Sequence, residues 1–118
     1  MSGRQSRDKG ARGEREAARV LSEYGIPSER AARNGKHAGD LVHPLELVHI
    51  EVKYQARCDL WAAMRQAAAQ AGPQFMCPLV LANKIHRGGS SGWMVMHQLS
   101  DWYSISKAVM RVWDEQDA

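Results

Sequence analysis

Residues 39–53, GDLVHPLELVHIEVK, decide the fold that the sequence predicts. Aliphatic and polar residues alternate over the second half of this stretch, which is the pattern of a half-buried strand. A turn at Pro44-Leu45 would make the stretch a hairpin, with strands over 40–43 and 46–53. These apolar strands nevertheless carry two acids and a lysine, at Asp40, Glu51 and Lys53.

Pairing within this predicted hairpin sorts the side chains by face. With Asp40 opposite His49, opposed residues share a face of the sheet, and side chains alternate along each strand. A slip of one residue would move strand 46–53 to the opposite face, so this assignment depends on the turn length. One face is then apolar and holds Leu41, Val48, Ile50 and Val52. The other face holds Asp40, His49, Glu51 and Lys53.

The rest of the chain alternates helical and strand patterns. Good helix formers without proline predict a first helix from Asp8 to Tyr24, which Gly25 and Pro27 end. A last helix is predicted after Ser100, as its N-cap, with a stripe of apolar residues facing the core. That stripe comprises Trp102, Ile105, Val109 and Val112. Between these helices we expect a short extended stretch over 28–36, a helix over 58–72, and strands over 78–84 and 93–99 joined by a flexible loop.

This order of elements predicts an α/β fold with a mixed central sheet flanked by helices. The 118 residues are enough for one core but too few for two, so we expect a single domain over 1–118. Residues 1–7 and 114–118 are predicted to be flexible tails.

Basic residues are concentrated at the front of the chain. Residues 1–36 hold nine Lys and Arg against five Asp and Glu, whereas residues 37–118 hold seven against eight. Such asymmetry is typical of polyanion binders, because cations near phosphates release condensed counterions. A basic segment that only aids solubility would give the same composition.

Several classes of protein are disfavoured. No apolar run is long enough to span a membrane, and no signal-peptide pattern is visible, so we expect a cytoplasmic protein, in the host cytoplasm if it is viral. Cys58 and Cys77 are too few for a disulfide scaffold. The five histidines lack zinc-ligand spacing, although His49 lies nearest the charged face.

Glu14 lies within the apolar stripe of the predicted first helix, where a carboxylate is costly unless a cation accompanies it. A salt bridge to a neighbouring arginine or an exposed first turn would also explain this position.

The charged residues together match the needs of phosphodiester hydrolysis, which are a cation near the phosphate and an activated water. Asp40 and Glu51 are hard oxygen ligands that suit Mg²⁺, or Mn²⁺ in its place, and the Val52 carbonyl is a further candidate ligand. Lys53 would orient or deprotonate the attacking water. Glu14 would complete the metal or water shell. The alternative is a buried ion-pair cluster without catalysis.

This order of residues resembles the PD-(D/E)XK nuclease superfamily, with Gly39-Asp40 in place of the leading Pro-Asp. The runs KGARGEREAARVLSEYGI, GDLV and HIEVK are similar to archaeal-type Holliday junction resolvases, which also occur in viruses, over about residues 7–99. The resemblance implies a restriction-endonuclease-like fold and a Mg²⁺-dependent homodimer that introduces paired symmetric nicks in four-way DNA junctions. It implies catalytic roles for Glu14, Asp40, Glu51 and Lys53, and phosphate contacts from Lys9, Arg15 and Arg33.

Further DNA contacts are expected from the other basic residues near this cluster, namely Arg12, Arg30, Lys36 and Arg87. A junction of near two-fold symmetry needs two matching cuts, so a small single-site domain would act as a homodimer. Its interface candidates are Trp61, Phe75 and Trp93. No membrane and no small-molecule cofactor are expected. Two alternatives stay open: another nuclease of the superfamily, such as a repair or restriction-like enzyme, and a DNA-binding module without catalysis.

Overall fold

The computed structural model describes residues 3–31, 40–72 and 77–117, with the side chains of residues 3–9 excepted. In this part of the chain, three α-helices and five strands follow one another. They are α1 (Gly3–Glu23), β1 (Glu29–Arg30), β2 (Leu41–Val42), β3 (Val48–Gln55), α2 (Leu60–Ala71), β4 (Cys77–His86), β5 (Gly89–His97) and α3 (Trp102–Asp117), with a 3₁₀ turn at Leu99–Asp101 before α3. No described helix is long and apolar enough to cross a membrane.

Strands β3, β4 and β5 form a mixed sheet with β4 in the centre. β3 runs parallel to β4, from Val48 opposite Cys77 to Gln55 opposite Lys84. β5 runs antiparallel to β4. β1 and β2 form a separate antiparallel pair. The prediction of an α/β fold with a mixed sheet is therefore confirmed.

Helices pack on both faces of this sheet. On one face, buried residues of α1 and α3 meet Leu41, Val48 and Ile50, with Val52 packed against them. On the other face, Ala63, Met64 and Ala67 of α2 meet Val80 and Ala82 of β4. The predicted apolar face of the stretch at residues 39–53 is thus confirmed, and the charged face of β3 is the one that α2 covers.

The predicted hairpin of 40–43 with 46–53 is wrong. β2 pairs with β1, β3 pairs with β4, and Asp40 N–H donates to Ile50 C=O at 3.1 Å as the link between the two stretches. A two-residue hairpin turn needs residues that tolerate positive φ, which Pro-Leu does not supply. Leu45 is instead buried in the core, and Leu47 takes the positive φ, at 60°.

The helix bounds differ from those expected at both ends of the chain. α1 begins at Gly3 rather than Asp8, and α3 continues to Asp117 through residues predicted to be a tail. Long-range hydrogen bonds hold this last turn: Trp113 Nε1 donates to Tyr24 C=O at 2.9 Å, and Gln116 Nε2 donates to Gly25 C=O at 2.6 Å. Ser100 is not the helix N-cap, since it lies within the 3₁₀ turn.

Other predicted elements are present with shifted limits. α2 begins after Asp59, whose carboxylate accepts from the N–H groups of Trp61 and Ala62. Strands β4 and β5 extend into the predicted loop, leaving a tight turn at Arg87 and Gly88. Most of the extended stretch predicted over 28–36 lies outside the described residues.

Trp102, placed in the core by periodicity, is 61% exposed, whereas Ile105 and Val112 are buried.

His43 helps to shape the connection between β2 and β3. Its Nδ1 accepts from the N–H of Leu45 at 3.1 Å, and burial lowers the pKa of His43 from 6.5 to about 4. Because the folded-state pKa lies below that of the unfolded chain, neutral His43 contributes stability that is complete above pH 6.5 and is lost as the pH falls towards 4.

We therefore expect His43→Asn to flatten the loss of stability in acid by about 1–3 kcal/mol. The asparagine oxygen can accept the same hydrogen bond two residues on, as in an Asx turn, but does not titrate. Urea unfolding between about pH 4 and pH 8 measures the effect. The exposed His86→Asn is the control, and an acid profile in His43→Asn that matches wild type would contradict the assignment.

Candidate active site

Asp40 is fixed beside β3 by hydrogen bonds on three of its groups. Its N–H donates to Ile50 C=O and its C=O accepts from Ala31 N–H, both at 3.1 Å. Its side-chain Oδ2 accepts from the N–H of Val52 at 2.7 Å. The carboxylate therefore binds the backbone of the residue that separates Glu51 from Lys53.

Val52 can contribute its carbonyl to the same place. A strand residue directs its N–H and C=O to the same side of the strand. Since the N–H of Val52 points to Asp40, its carbonyl lies along the same edge of β3. The role of this carbonyl as a metal ligand stays a prediction.

Glu51 is buried, with 5% of its surface exposed, and is covered by polar partners. His49 Nε2 lies 3.0 Å from Glu51 Oε2 on the same face of β3. With the Gln70 amide oriented so that its nitrogen faces Glu51, that nitrogen donates to both carboxylate oxygens at 2.9 Å. These contacts account for a carboxylate that lies beneath α2.

Lys53 follows on the same face and is half-buried. Its Nζ donates to Oε1 of Gln66 at 2.8 Å, one turn of α2 before Gln70. The ammonium is therefore held by an uncharged acceptor.

Glu14 lies on α1. Together with Asp40, Glu51 and Lys53 it forms the set of residues that we call the acid–lysine cluster. Its Oε2 lies 3.5 Å from Nε of Arg30, so the salt bridge considered from the sequence is present. Glu14 also acts electrostatically on Asp40. The inward position of Glu14 on α1 thus serves both an ion pair and the acidic cluster.

The nearby negative charges contribute to a raised pKa of Asp40. The pKa of Asp40 is raised from 3.8 to about 6, chiefly by burial and also by the negative charges of Glu51 and Glu14, against the opposing effects of the Val52 hydrogen bond and Lys53. The other three residues predicted to be catalytic therefore each act electrostatically on Asp40. A carboxylate with an unfavourable charged form is one that a cation would stabilise.

The site has oxygen donors of the chemical kind that magnesium prefers. Across the described residues, no group of three or more His, Cys, Asp and Glu side chains is arranged to hold a metal. Mg²⁺ does not require such a group, because it is commonly bound by one or two carboxylates together with water and substrate phosphates. Asp40, Glu51 and the Val52 carbonyl supply hard oxygen donors of this kind.

The described residues among those predicted to bind DNA lie on α1, on β1 and at the β4–β5 turn. Arg12 and Arg15 are exposed on α1, and Arg87 is exposed at the β4–β5 turn. Arg30 is partly buried in its ion pair with Glu14. Arg33, Lys36 and the side chain of Lys9 lie outside what the structure describes.

The interface candidates differ in exposure. Trp61 is 72% exposed at the start of α2. Trp93 is half-buried and stacks on Tyr54, with ring centroids 5.8 Å apart. Phe75 lies outside the described residues.

Sequence reasoning missed Gln66 and Gln70, the two amides that contact Lys53 and Glu51. Both lie on exposed helix positions, where glutamine is typical of a solvent-facing surface. The sequence feature that could have identified them is their spacing of four residues, which places both on one side of α2 beside the buried alanines.

Two clefts in the described part of the chain lie elsewhere. One, of about 660 Å³, is lined by the end of α1, the β2 region and the C-terminal half of α3. A second, of about 260 Å³, lies between residues 44–47 and α3. Neither of these two clefts is lined by a residue of the acid–lysine cluster.

No protein-family model matches this chain, and comparisons with characterised proteins and with solved structures give no match. The functional argument therefore rests on the fold and on the cluster itself. These define a small α/β protein in which Glu14, Glu51 and Lys53 act electrostatically on Asp40 beside β3.

Proposed function

We propose that this chain is a divalent-cation-dependent DNA endonuclease of the PD-(D/E)XK type. The observation that carries the proposal is the 2.7 Å hydrogen bond from Val52 N–H to Asp40, which joins the first acid to the strand bearing the Glu-x-Lys pair. A purely structural ion-pair cluster would bring the lysine against a carboxylate, whereas Lys53 donates to an amide.

The order of elements supports a restriction-endonuclease-like fold. A helix bearing Glu14 precedes the strands bearing Asp40 and the Glu-x-Lys pair, and a helix then leads to a strand parallel to β3. This order agrees with the fold that the resemblance implies.

Each residue has a separate role in the proposed hydrolysis. Asp40, Glu51 and the Val52 carbonyl would hold Mg²⁺ or Mn²⁺, which would supply charge neutralisation at the phosphate and activation of water. Lys53 would orient the attacking water as an ammonium, or accept its proton as a neutral amine. Gln66, which accepts a hydrogen bond from Lys53 Nζ, limits the positions that this side chain can take. Glu14 adds negative charge on the α1 side of the site.

Within this class, the proposed substrate is a four-way DNA junction, cut by paired symmetric nicks. The arginines on α1 and at the β4–β5 turn are exposed and would neutralise phosphates. Two matching cuts in a junction of two-fold symmetry require two copies of this site, so the active form is a homodimer. The proposed location is the cytoplasm, or the host cytoplasm for a viral protein.

A cleavage assay tests this function. Wild type, Asp40→Asn and Lys53→Met are incubated with a labelled four-way junction, a duplex and a single strand, with and without Mg²⁺. Paired nicks are expected on the junction alone, and either substitution should slow them by at least about 100-fold.

Asp59→Asn is the matched control, because it makes the same chemical change at an exposed helix cap where asparagine works equally well. Equal cutting of all three substrates would indicate another nuclease of the superfamily. Binding without cutting would instead indicate a DNA-binding module and overturn the proposed activity.

A further inference from the structure

Two glutamine side chains on α2 connect the lysine and the glutamate of β3. Lys53 Nζ donates to Oε1 of Gln66 at 2.8 Å. With the Gln70 amide nitrogen facing Glu51, the Gln70 oxygen accepts from Nε2 of Gln66 at 3.3 Å. The Gln70 nitrogen then donates to both Glu51 oxygens at 2.9 Å.

The hydrogen bonds in this series, from Lys53 to Glu51, all have the same donor-to-acceptor direction. The ammonium donates to the first amide, the first amide donates to the second, and the second donates to the carboxylate. Each amide therefore has its oxygen towards the cation and its nitrogen towards the anion, which is the favourable alignment of both dipoles. Hydrogen bonds in such a series polarise and strengthen one another. We call this series the amide bridge.

The amide bridge separates two opposite charges that would otherwise be drawn together. Glu51 and Lys53 are two residues apart on one strand and share a face. A flexible lysine beside a buried carboxylate would gain by pairing with it directly. A direct pair would occupy the ammonium and neutralise a carboxylate that is needed for a cation.

We propose that Gln66 and Gln70 are positioning residues that hold Lys53 and Glu51 apart and in fixed orientations, so that the ammonium serves water and the carboxylate serves a divalent cation. This inference rests on the proposed function for its catalytic consequence. The coupling of the four side chains through the amide bridge is independent of DNA and metal.

Methionine replacements test the amide bridge with little change in shape. Methionine is similar in length to glutamine and has a similar helix propensity, but it cannot take part in the bridge. Ala68→Met is the control, because it adds the same side chain at an exposed α2 position that points away from Gln66.

Side-chain amide signals in ¹H–¹⁵N spectra of the metal-free protein give the first measurement. Lys53→Met should shift the signals of both glutamines. Lys53 contacts Gln66 directly, and its effect reaches Gln70 through Gln66. In a Gln66→Met background, the same Lys53→Met change should no longer shift Gln70. A Gln70 signal that is unaffected by Lys53→Met, or affected equally in both backgrounds, overturns the amide bridge.

Mn²⁺ binding and cleavage kinetics give the second measurement. Gln70→Met should weaken Mn²⁺ binding about tenfold in calorimetry, and each methionine variant should lower kcat for junction cleavage about 10–100-fold with KM unchanged. The double variant should be no slower than the slower single variant, since the bridge acts as one unit.

These outcomes separate the two proposals. Unchanged or tighter Mn²⁺ binding by Gln70→Met would show that the amide does not orient Glu51 for a cation, and additive losses in kcat would overturn the bridge as a unit. A wild-type protein that fails to cut DNA would overturn the proposed nuclease function, while the amide signals would still decide whether the bridge exists.

Discussion

Replacing Asp40 by asparagine is expected to stabilise the metal-free protein at pH 7.5 while abolishing cleavage. The pKa of Asp40 is raised to about 6 by burial and by the charges of Glu51 and Glu14. Its charged form therefore costs free energy in the folded state. Asparagine removes the charge and keeps an oxygen that can accept from the Val52 N–H.

The sign of the pH dependence follows from the direction of the shift. Because the pKa of Asp40 is higher in the folded protein than its ordinary value of 3.8, the folded state binds the proton more tightly. The resulting stability is complete below pH 3.8 and is lost as the pH rises through about 6. We expect a loss of about 1–3 kcal/mol from this group, which Asp40→Asn should not show.

Urea unfolding in EDTA and in Mg²⁺ measures both parts of this prediction. At ten times its Kd, Mg²⁺ should stabilise wild type by about 1.4 kcal/mol and leave Asp40→Asn unchanged. Asp59→Asn should behave as wild type in both conditions. A metal-free Asp40→Asn protein that is less stable than wild type by more than about 1 kcal/mol would identify Asp40 as part of a stabilising ion pair instead.

Adding one methyl group at Gly13 is expected to separate α1 from β3. A Cβ at Gly13 would lie 2.4 Å from Cβ of Tyr54 and 2.9 Å from two of its ring carbons. Tyr54 cannot easily retreat, since its ring stacks on Trp93. Overpacking of this kind costs about 1–3 kcal/mol or more, which exceeds the gain of about 0.5–1 kcal/mol from replacing a helical glycine by alanine.

Gly10→Ala is the matched control on the same helix. A Cβ there meets nothing within 4 Å, so the helix gain should appear alone and the variant should be more stable than wild type. Gly13→Ala should also lower cleavage beyond its loss of stability, because α1 carries Glu14 beside Gly13. Equal unfolding midpoints for the two alanine variants would show that α1 does not pack as closely on Tyr54 as the structure indicates.

The faces of β3 were predictable from the sequence because strand side chains alternate with a period of two. Val48 and Ile50 could therefore be assigned to the core and His49 and Glu51 to the other face without knowing any neighbour. In α2, helical spacing likewise places Met64, Ala67 and Ala71 on one side of the helix, and that side is buried. Local periodicity carries this information directly.

Strand pairing was not predictable in the same way, because it depends on residues distant in sequence. The turn after His43 is set by burial of Leu45 in a core that α1 and α3 complete. The partner of β3 is β4, which starts 22 residues after β3 ends, at Cys77. A nearby strand such as residues 40–43 was the more obvious partner from sequence distance alone.

In the candidate site, residue type and order identified the acids and the lysine, but not their hydrogen-bond partners. Arg30 is a basic residue in a basic segment, and its proximity to Glu14 is visible only after β1 is placed beside α1. Gln66 and Gln70 have no charge and lie at exposed positions. Their significance comes from the parallel β3–β4 crossover, which lays α2 across the charged face of β3.

The hydrogen bonds from Trp113 and Gln116 to the end of α1 join residues 89 and 91 positions apart. Closing a loop of that length is entropically costly and slow compared with forming local contacts. During synthesis, the carbonyls of Tyr24 and Gly25 can form these hydrogen bonds only after the last turn of α3 has left the ribosome. We therefore expect the contact between α3 and the end of α1 to form only after α3 has been translated.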